Sequence, residues 1–175
     1  DQAPRSVANA THAPVLPARG VSVLLVGSST GGPQALCTLL RGIPKPPPFA
    51  VLAVQHLDAT FIPGLIAWLA QETGHDIRIA EAGATLEPGM IRMAGGTRHL
   101  VIEADGRLAH RDPHAGELHH PSVDQLFHSA ARLGAQRGAA VLLTGMGRDG
   151  AEGMLVLRNA GWRTIAQDQT TSVVW

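Results

Sequence analysis

Three short segments carry side chains that could do chemistry together. They are the turn Gly27-Ser28-Ser29-Thr30-Gly31-Gly32, the histidine of Gln55-His56, and the acid of Gly147-Arg148-Asp149-Gly150. A serine hydroxyl is a poor nucleophile until a base removes its proton as it attacks. Histidine changes charge near neutral pH and can be that base. A carboxylate against the imidazole fixes its tautomer and stabilises the imidazolium that forms. The combined chemistry is acyl transfer at an ester or amide carbonyl. Each element also has a plainer reading. The turn can cradle a phosphate or simply bend the chain, although it is neither G-x-G-x-x-G nor a P-loop, since no Gly-Lys-Ser/Thr follows. His56 alone suits a structural role, and Asp149 alone suits a cap for the helix behind it. Spacing leaves Ser28 and Ser29 equivalent as nucleophiles, and only geometry establishes a triad.

The surrounding pattern says how these segments are placed. Residues 21–26 form a continuous apolar run, as in a strand buried on both faces of a parallel sheet. The run ends in the glycine-rich turn, and a helix follows with Pro33 in its first turn and Leu36, Leu39 and Leu40 on one face. Residues 50–54 form a second buried strand ending at Gln55-His56, and residues 139–143 a third ending at Thr144-Gly145-Met146. Ligands bind outside the carboxyl ends of strands in an open parallel sheet. If the three strands are parallel, Ser28 and Ser29, His56 and Asp149 share one edge. Thr30 and Gly31 then become candidate backbone support, because unpaired N–H groups at the start of a helix can face a developing oxyanion.

The other elements complete an alternating order. Ile62, Leu65, Ile66 and Leu69 mark a helix capped by Asp58 or Thr60, with Pro63 in its first turn. Ile77, Ile79, Ile91 and Met93 suggest short, partly exposed β structure. Asp105-Gly106 centres a hairpin near residues 99–111. Ser122 and Gln125 form a capping box opening a helix with Val123, Leu126, Phe127 and Ala130 inward. Asp124 suits the favourable first turn of that helix. Ala151, Met154 and Leu155 lie in a last helix, Gly161 suits its C-cap, and a strand near residues 163–166 follows. The expected fold is α/β, a doubly wound, mainly parallel sheet flanked by helices.

Composition narrows the function classes. The chain has 175 residues, 45% hydrophobic and 16% charged, with zero formal net charge. Of its 14 basic residues all but Lys45 are arginine, and no run concentrates them, which argues against a nucleic-acid surface. Cys37 is the single cysteine, so no intrachain disulfide is possible. It falls among Leu36, Leu39 and Leu40 and reads as a core residue, in keeping with a cytoplasmic location. No apolar run approaches the roughly 20 residues needed to span a bilayer. Direct membrane insertion is not expected, and Asp1-Gln2-Ala3-Pro4 does not open a signal peptide. Residues 1–19, rich in Ala and Pro, read as an interdomain linker, and residues 20–175 as one catalytic domain. His110, His114, His119 and His120 match no strong zinc spacing and read as an exposed polar loop; no metal or cofactor is expected.

Beyond these readings, the chain resembles the chemotaxis protein-glutamate methylesterase family, CheB. The resemblance rests on Val26-Gly27-Ser28-Ser29-Thr30-Gly31-Gly32, Gln55-His56, His120-Pro121-Ser122-Val123-Asp124-Gln125-Leu126-Phe127, Leu143-Thr144-Gly145-Met146-Gly147-Arg148-Asp149-Gly150-Ala151 and Ala166-Gln167-Asp168, in that order. It implies Ser29, rather than Ser28, as nucleophile, His56 as base, Asp149 as third member, and the backbone N–H of Met146 as an oxyanion donor. It further implies hydrolysis of glutamate methyl esters on the cytoplasmic helices of methyl-accepting chemoreceptors, with release of methanol, and deamidation of receptor glutamines. A phosphorylatable receiver domain usually precedes this domain in the family. Leu57-Asp58 stands where the family commonly has Met-Pro. The family chain normally continues past residues 172–174 with Gly-Met-Pro and a helix, so the apolar end Val173-Val174-Trp175 reads as truncated.

Overall fold

The computed structural model describes residues 22–133 and 138–175. The expected linker at residues 1–19 lies outside the described residues. Eight strands and four α-helices follow one another: β1 (Val23–Ser28), α1 (Gly32–Arg41), β2 (Ala50–Gln55), α2 (Ile62–Thr73), β3 (Ile77–Ile79), β4 (Ile91–Met93), β5 (His99–Ile102), β6 (Leu108–Arg111), α3 (Val123–Ala131), β7 (Gly138–Leu142), α4 (Ala151–Asn159) and β8 (Arg163–Ala166). Six strands form one sheet in the order β3-β4-β2-β1-β7-β8, and every pairing in it is parallel. Strands β5 and β6 pair antiparallel as the expected hairpin near residues 99–111.

The two faces of the sheet are read directly from the alternation along its central strands. Val23 and Leu25 of β1, with Ala50, Leu52 and Val54 of β2, pack with Leu100, Leu126, Phe127 and Leu157. Val26, Val51 and Ala53 pack on the other face with Leu36, Leu40, Leu65 and Leu69. Thus α1 and α2 cover one face, while α3, α4 and the hairpin cover the other. Every residue of β2 is buried, which explains its unbroken apolar run. Cys37 is a buried core residue beside Leu36 and Leu40. Pro33 and Pro63 both sit in the first turns of their helices. Asp58 accepts from the N–H of Thr60 and caps a single 3-10 turn, Ala59–Phe61, ahead of α2.

Three expectations change. Ile77, Ile79, Ile91 and Met93 lie in short strands, and Ile79 is exposed, as expected, but Ile91 and Met93 are buried. Strands β3 and β4 join the parallel sheet, and β4 is internal, between β3 and β2. Three-residue strands are too short for periodicity to separate an internal from an edge position. The hairpin is also less exposed than its polar flanks suggest, since all of β5 is buried against the sheet and α3.

The third change concerns the helix ends. Ser122 is the N-cap of α3 and accepts from the Gln125 N–H at 3.3 Å, as expected. The reciprocal half of the box is missing: the Ser122 N–H donates to His99 Nδ1 and the Gln125 amide donates to Glu117. Asp124 does not serve its own helix. Its carboxylate accepts from the N–H of Gly153 in the first turn of α4, at 2.6 Å. Burial raises the Asp124 carboxyl above its ordinary pKa, against the opposing pull of the Gly153 and Gly150 N–H groups. In return, Asp149, just before α4, accepts from the N–H groups of Val123 and Asp124 at the start of α3. Each helix thus holds the first turn of the other.

Replacing Asp124 with Ala removes one of these exchanged caps. The expected loss is about 1–2 kcal/mol, read as a lower midpoint with an unchanged slope in urea denaturation.

Candidate active site

The parallel register sets the site. Ser28 of β1 pairs with Gln55 of β2, and Gly27 pairs with Leu142 of β7. The residues that follow these pairs therefore leave the sheet along one edge. Ser29, His56, Met146 and Asp149 line a single small cavity of about 40 Å³ there. Thr30 and Gly31 stand beside it in the chain but do not line it.

The two serines have different fates. Ser28 is buried, and its hydroxyl donates to Gln55 Oε1 at 2.7 Å. Ser29 is half-buried, and among the described residues its hydroxyl makes no hydrogen bond. Its own N–H is already committed to the Thr144 carbonyl at 3.0 Å. A Cβ on Gly145 would fall 2.7 Å from that of Ser29, so only glycine allows the β7 loop to pass this close to the serine.

Gln55 braces this corner. Its amide nitrogen donates to the carbonyls of Ser29 and His56, both at 2.9 Å. Its Oε1 would lie 2.0 Å from a Cβ at Gly32, so the Gln55 carboxamide fills the inside of the glycine-rich turn. A phosphate cradle needs that space open. The sequence drew attention to Gln55 only as the neighbour of His56.

His56 Nε2–H donates to Asp149 Oδ2 at 2.7 Å, with the two side chains 16% and 7% exposed. Asp149 Oδ2 also accepts from the Val123 N–H, and Oδ1 accepts from Ser122 Oγ at 2.8 Å and from the Asp124 N–H. Burial alone would raise the Asp149 pKa. The hydrogen bonds from His56, Asp124, Val123 and Ser122 overcome it and hold the carboxyl far below the usual range. His56 Nδ1 is buried and has no hydrogen-bond partner. It is therefore the ring nitrogen left to take a proton. The N–H groups of Thr30, Gly31 and Met146 also have no hydrogen-bond acceptor among the described residues.

The four histidines of the polar loop are not equivalent. His119 is half-buried, and its ring stacks on that of His56 with centroids 4.5 Å apart and planes 5° from parallel. The expectation of an exposed loop is thus corrected at His119, and also at His110, which is half-buried on β6 with its Nε2 shielded from solvent. A stack between rings 63 positions apart leaves no local pattern in sequence. Ser122 was legible as a cap but not as a support for Asp149. Among the described residues, no three His, Cys, Asp or Glu side chains are grouped to hold a metal ion. No described helix is long and apolar enough to cross a membrane.

A family model described as CheB methylesterase matches residues 24–175. The protein-glutamate methylesterase/protein-glutamine glutaminase 2 of Anaeromyxobacter dehalogenans is 47% identical over 164 residues, 93% of this chain and 47% of its own length. The protein-glutamate methylesterase/protein-glutamine glutaminase 3 of Pseudomonas savastanoi pv. phaseolicola is 42% identical over 159 residues, 91% of this chain and 47% of its own length. The chain thus spans about half the length of these curated relatives. The crystal structure of the Thermotoga maritima CheB methylesterase catalytic domain superposes with a TM-score of 0.82 at 32% identity, covering 89% of this chain and 84% of that one.

Two substitutions test the supports of the site. Gln55→Leu keeps the volume but strands the Ser28 hydroxyl and two carbonyls, at an expected cost of about 1–3 kcal/mol in thermal or urea unfolding. The depressed Asp149 pKa stabilises the fold fully above the unfolded value of about 3.9, and that contribution is lost as pH falls through the folded value. Asp149→Asn cannot titrate. Its deficit of about 2–3 kcal/mol at neutral pH should therefore shrink as unfolding is measured at successively lower pH below about 4.

Proposed function

The chain belongs to the CheB methylesterase family, and from that premise we propose that it hydrolyses glutamate methyl esters on the cytoplasmic helices of bacterial chemoreceptors. The observation that carries this reading is the 2.7 Å hydrogen bond from His56 to Asp149 in the cavity that Ser29 lines. Ser29 is the proposed nucleophile, because Ser28 is held by Gln55. As the Ser29 hydroxyl attacks the ester carbonyl, its proton passes to His56 Nδ1. Asp149, ionised through the working pH range, stabilises the imidazolium.

The oxyanion of the tetrahedral intermediate is proposed to accept from the backbone N–H of Met146, with Thr30 and Gly31 supplying further support at the start of α1. The intermediate collapses with protonation of the leaving oxygen by His56, and methanol departs. Water then attacks the acyl-serine by the same route in reverse. A glutamine side chain presents the same acyl group with ammonia leaving, its nitrogen protonated by His56, which supports deamidation at the same site.

Beside the small cavity lies an open groove of about 830 Å³ that shares Gly147 and Asp149 with it and is lined also by Leu118, Ser122, Arg148 and Leu155. A receptor helix bearing the ester is proposed to lie there. In the parent protein we place a receiver domain ahead of this one, and the protein in the cytoplasm, as in a chemotaxis enzyme acting on receptor cytoplasmic helices.

The test is methanol release from a methylated chemoreceptor cytoplasmic fragment. Ser29→Ala should abolish release above background, while Ser28→Ala should retain the nucleophile and lose only support. Asp149→Asn should lower kcat by roughly 1000- to 10,000-fold. Wild-type release by Ser29→Ala would overturn the assignment.

A further inference from the structure

His119 takes no part in the mechanism above, yet its ring lies flat on the ring proposed as the base. Its backbone is not loose there. Glu117, two residues earlier, accepts from His99 Nε2–H at 2.7 Å, from the His114 N–H at 2.8 Å and from the Gln125 amide at 2.9 Å. His99 is 1% exposed on β5, and its other ring nitrogen accepts from the Ser122 N–H. The loop carrying His119 is thus tied to β5 and to the start of α3, the same helix end that holds Asp149. The His119 ring also approaches Gly147, where an added Cβ would stand 3.8 Å from Nε2.

We propose that His119 is a positioning residue for His56, its stacked ring clamping the imidazole against rotation. This rests on the reading of His56 as the base. Asp149 restrains His56 at one ring edge only. A ring held at one edge can still swing about that bond, and a flat partner on its face removes the swing.

The experiment is steady-state methanol release from a methylated chemoreceptor fragment across pH 5 to 8, with His119→Ala, His119→Phe and Ser29→Ala measured beside wild type and each fold checked by thermal melting. His119→Ala should lower kcat roughly 10- to 100-fold with KM nearly unchanged, as expected for a misplaced base. His119→Phe, which keeps the flat ring, should recover most of that loss. Wild-type kcat in His119→Ala, or failure of Phe to rescue, would each overturn the proposal. Loss of activity in Ser29→Ala alongside any of those outcomes would leave the esterase reading standing. Full activity in Ser29→Ala would remove that reading first.

Discussion

A buried carboxylate must have its lone pairs satisfied, and Asp149 has room for about four hydrogen bonds. It receives four: Ser122 Oγ and the Asp124 N–H on one oxygen, the Val123 N–H and His56 on the other. No donor is to spare. The carboxylate is thus the N-terminal anion of α3 and the partner of the imidazole at once. Leaving such a charge short of a partner would be costly, so the start of α3, the turn before α4 and the loop after β2 must all be in place together. The exchanged cap from Asp124 to Gly153 fixes the remaining freedom between the two helices.

This constraint works only because the sheet delivers the loops in step. The pairing of Ser28 with Gln55 and of Gly27 with Leu142 makes β1, β2 and β7 end at nearly the same height. A register shift of one residue on either side would turn Gln55 or Ser28 to the other face. The hydrogen bond between their side chains therefore reports the register as well as bracing the turn. Residues with no chemistry of their own set where the reacting groups stand.

Much of this was legible in the chain. The apolar runs of β1, β2 and β7, the prolines at two helix starts and the Ser122 cap are local signals, and each lies where such signals place it. The loops bearing Ser29, His56 and Asp149 follow from the parallel order of those strands. What escaped is what depends on distant partners. Asp149 looks like a cap for α4 by proximity, but it caps α3, 26 positions away at Val123. Gln55 and Ser28 are a polar pair whose meaning lies in their contact. Strands β3 and β4 are three residues each, so only their neighbours reveal that they extend the parallel sheet. His119 lay within a run of histidines whose spacing says nothing of a ring 63 positions away.

Thr144 shows how closely the turn bearing Ser29 is tied to the segment after β8. Its hydroxyl lies 3.0 Å from the carbonyl of Thr30 and 3.0 Å from that of Val174, and it accepts from the N–H groups of Val173 and Val174. A hydroxyl has a single hydrogen to give. The two carbonyls are therefore rivals for it, one on the turn beside Ser29 and the other on residues 173–174. Drawing the Val174 carbonyl away would leave that hydrogen to Thr30 alone, whereas Val174 is held in addition by its own N–H on Thr144 Oγ1 and by the Gly145 N–H on its carbonyl. One proton is thus divided between the turn beside Ser29 and a segment 30 positions from Thr144.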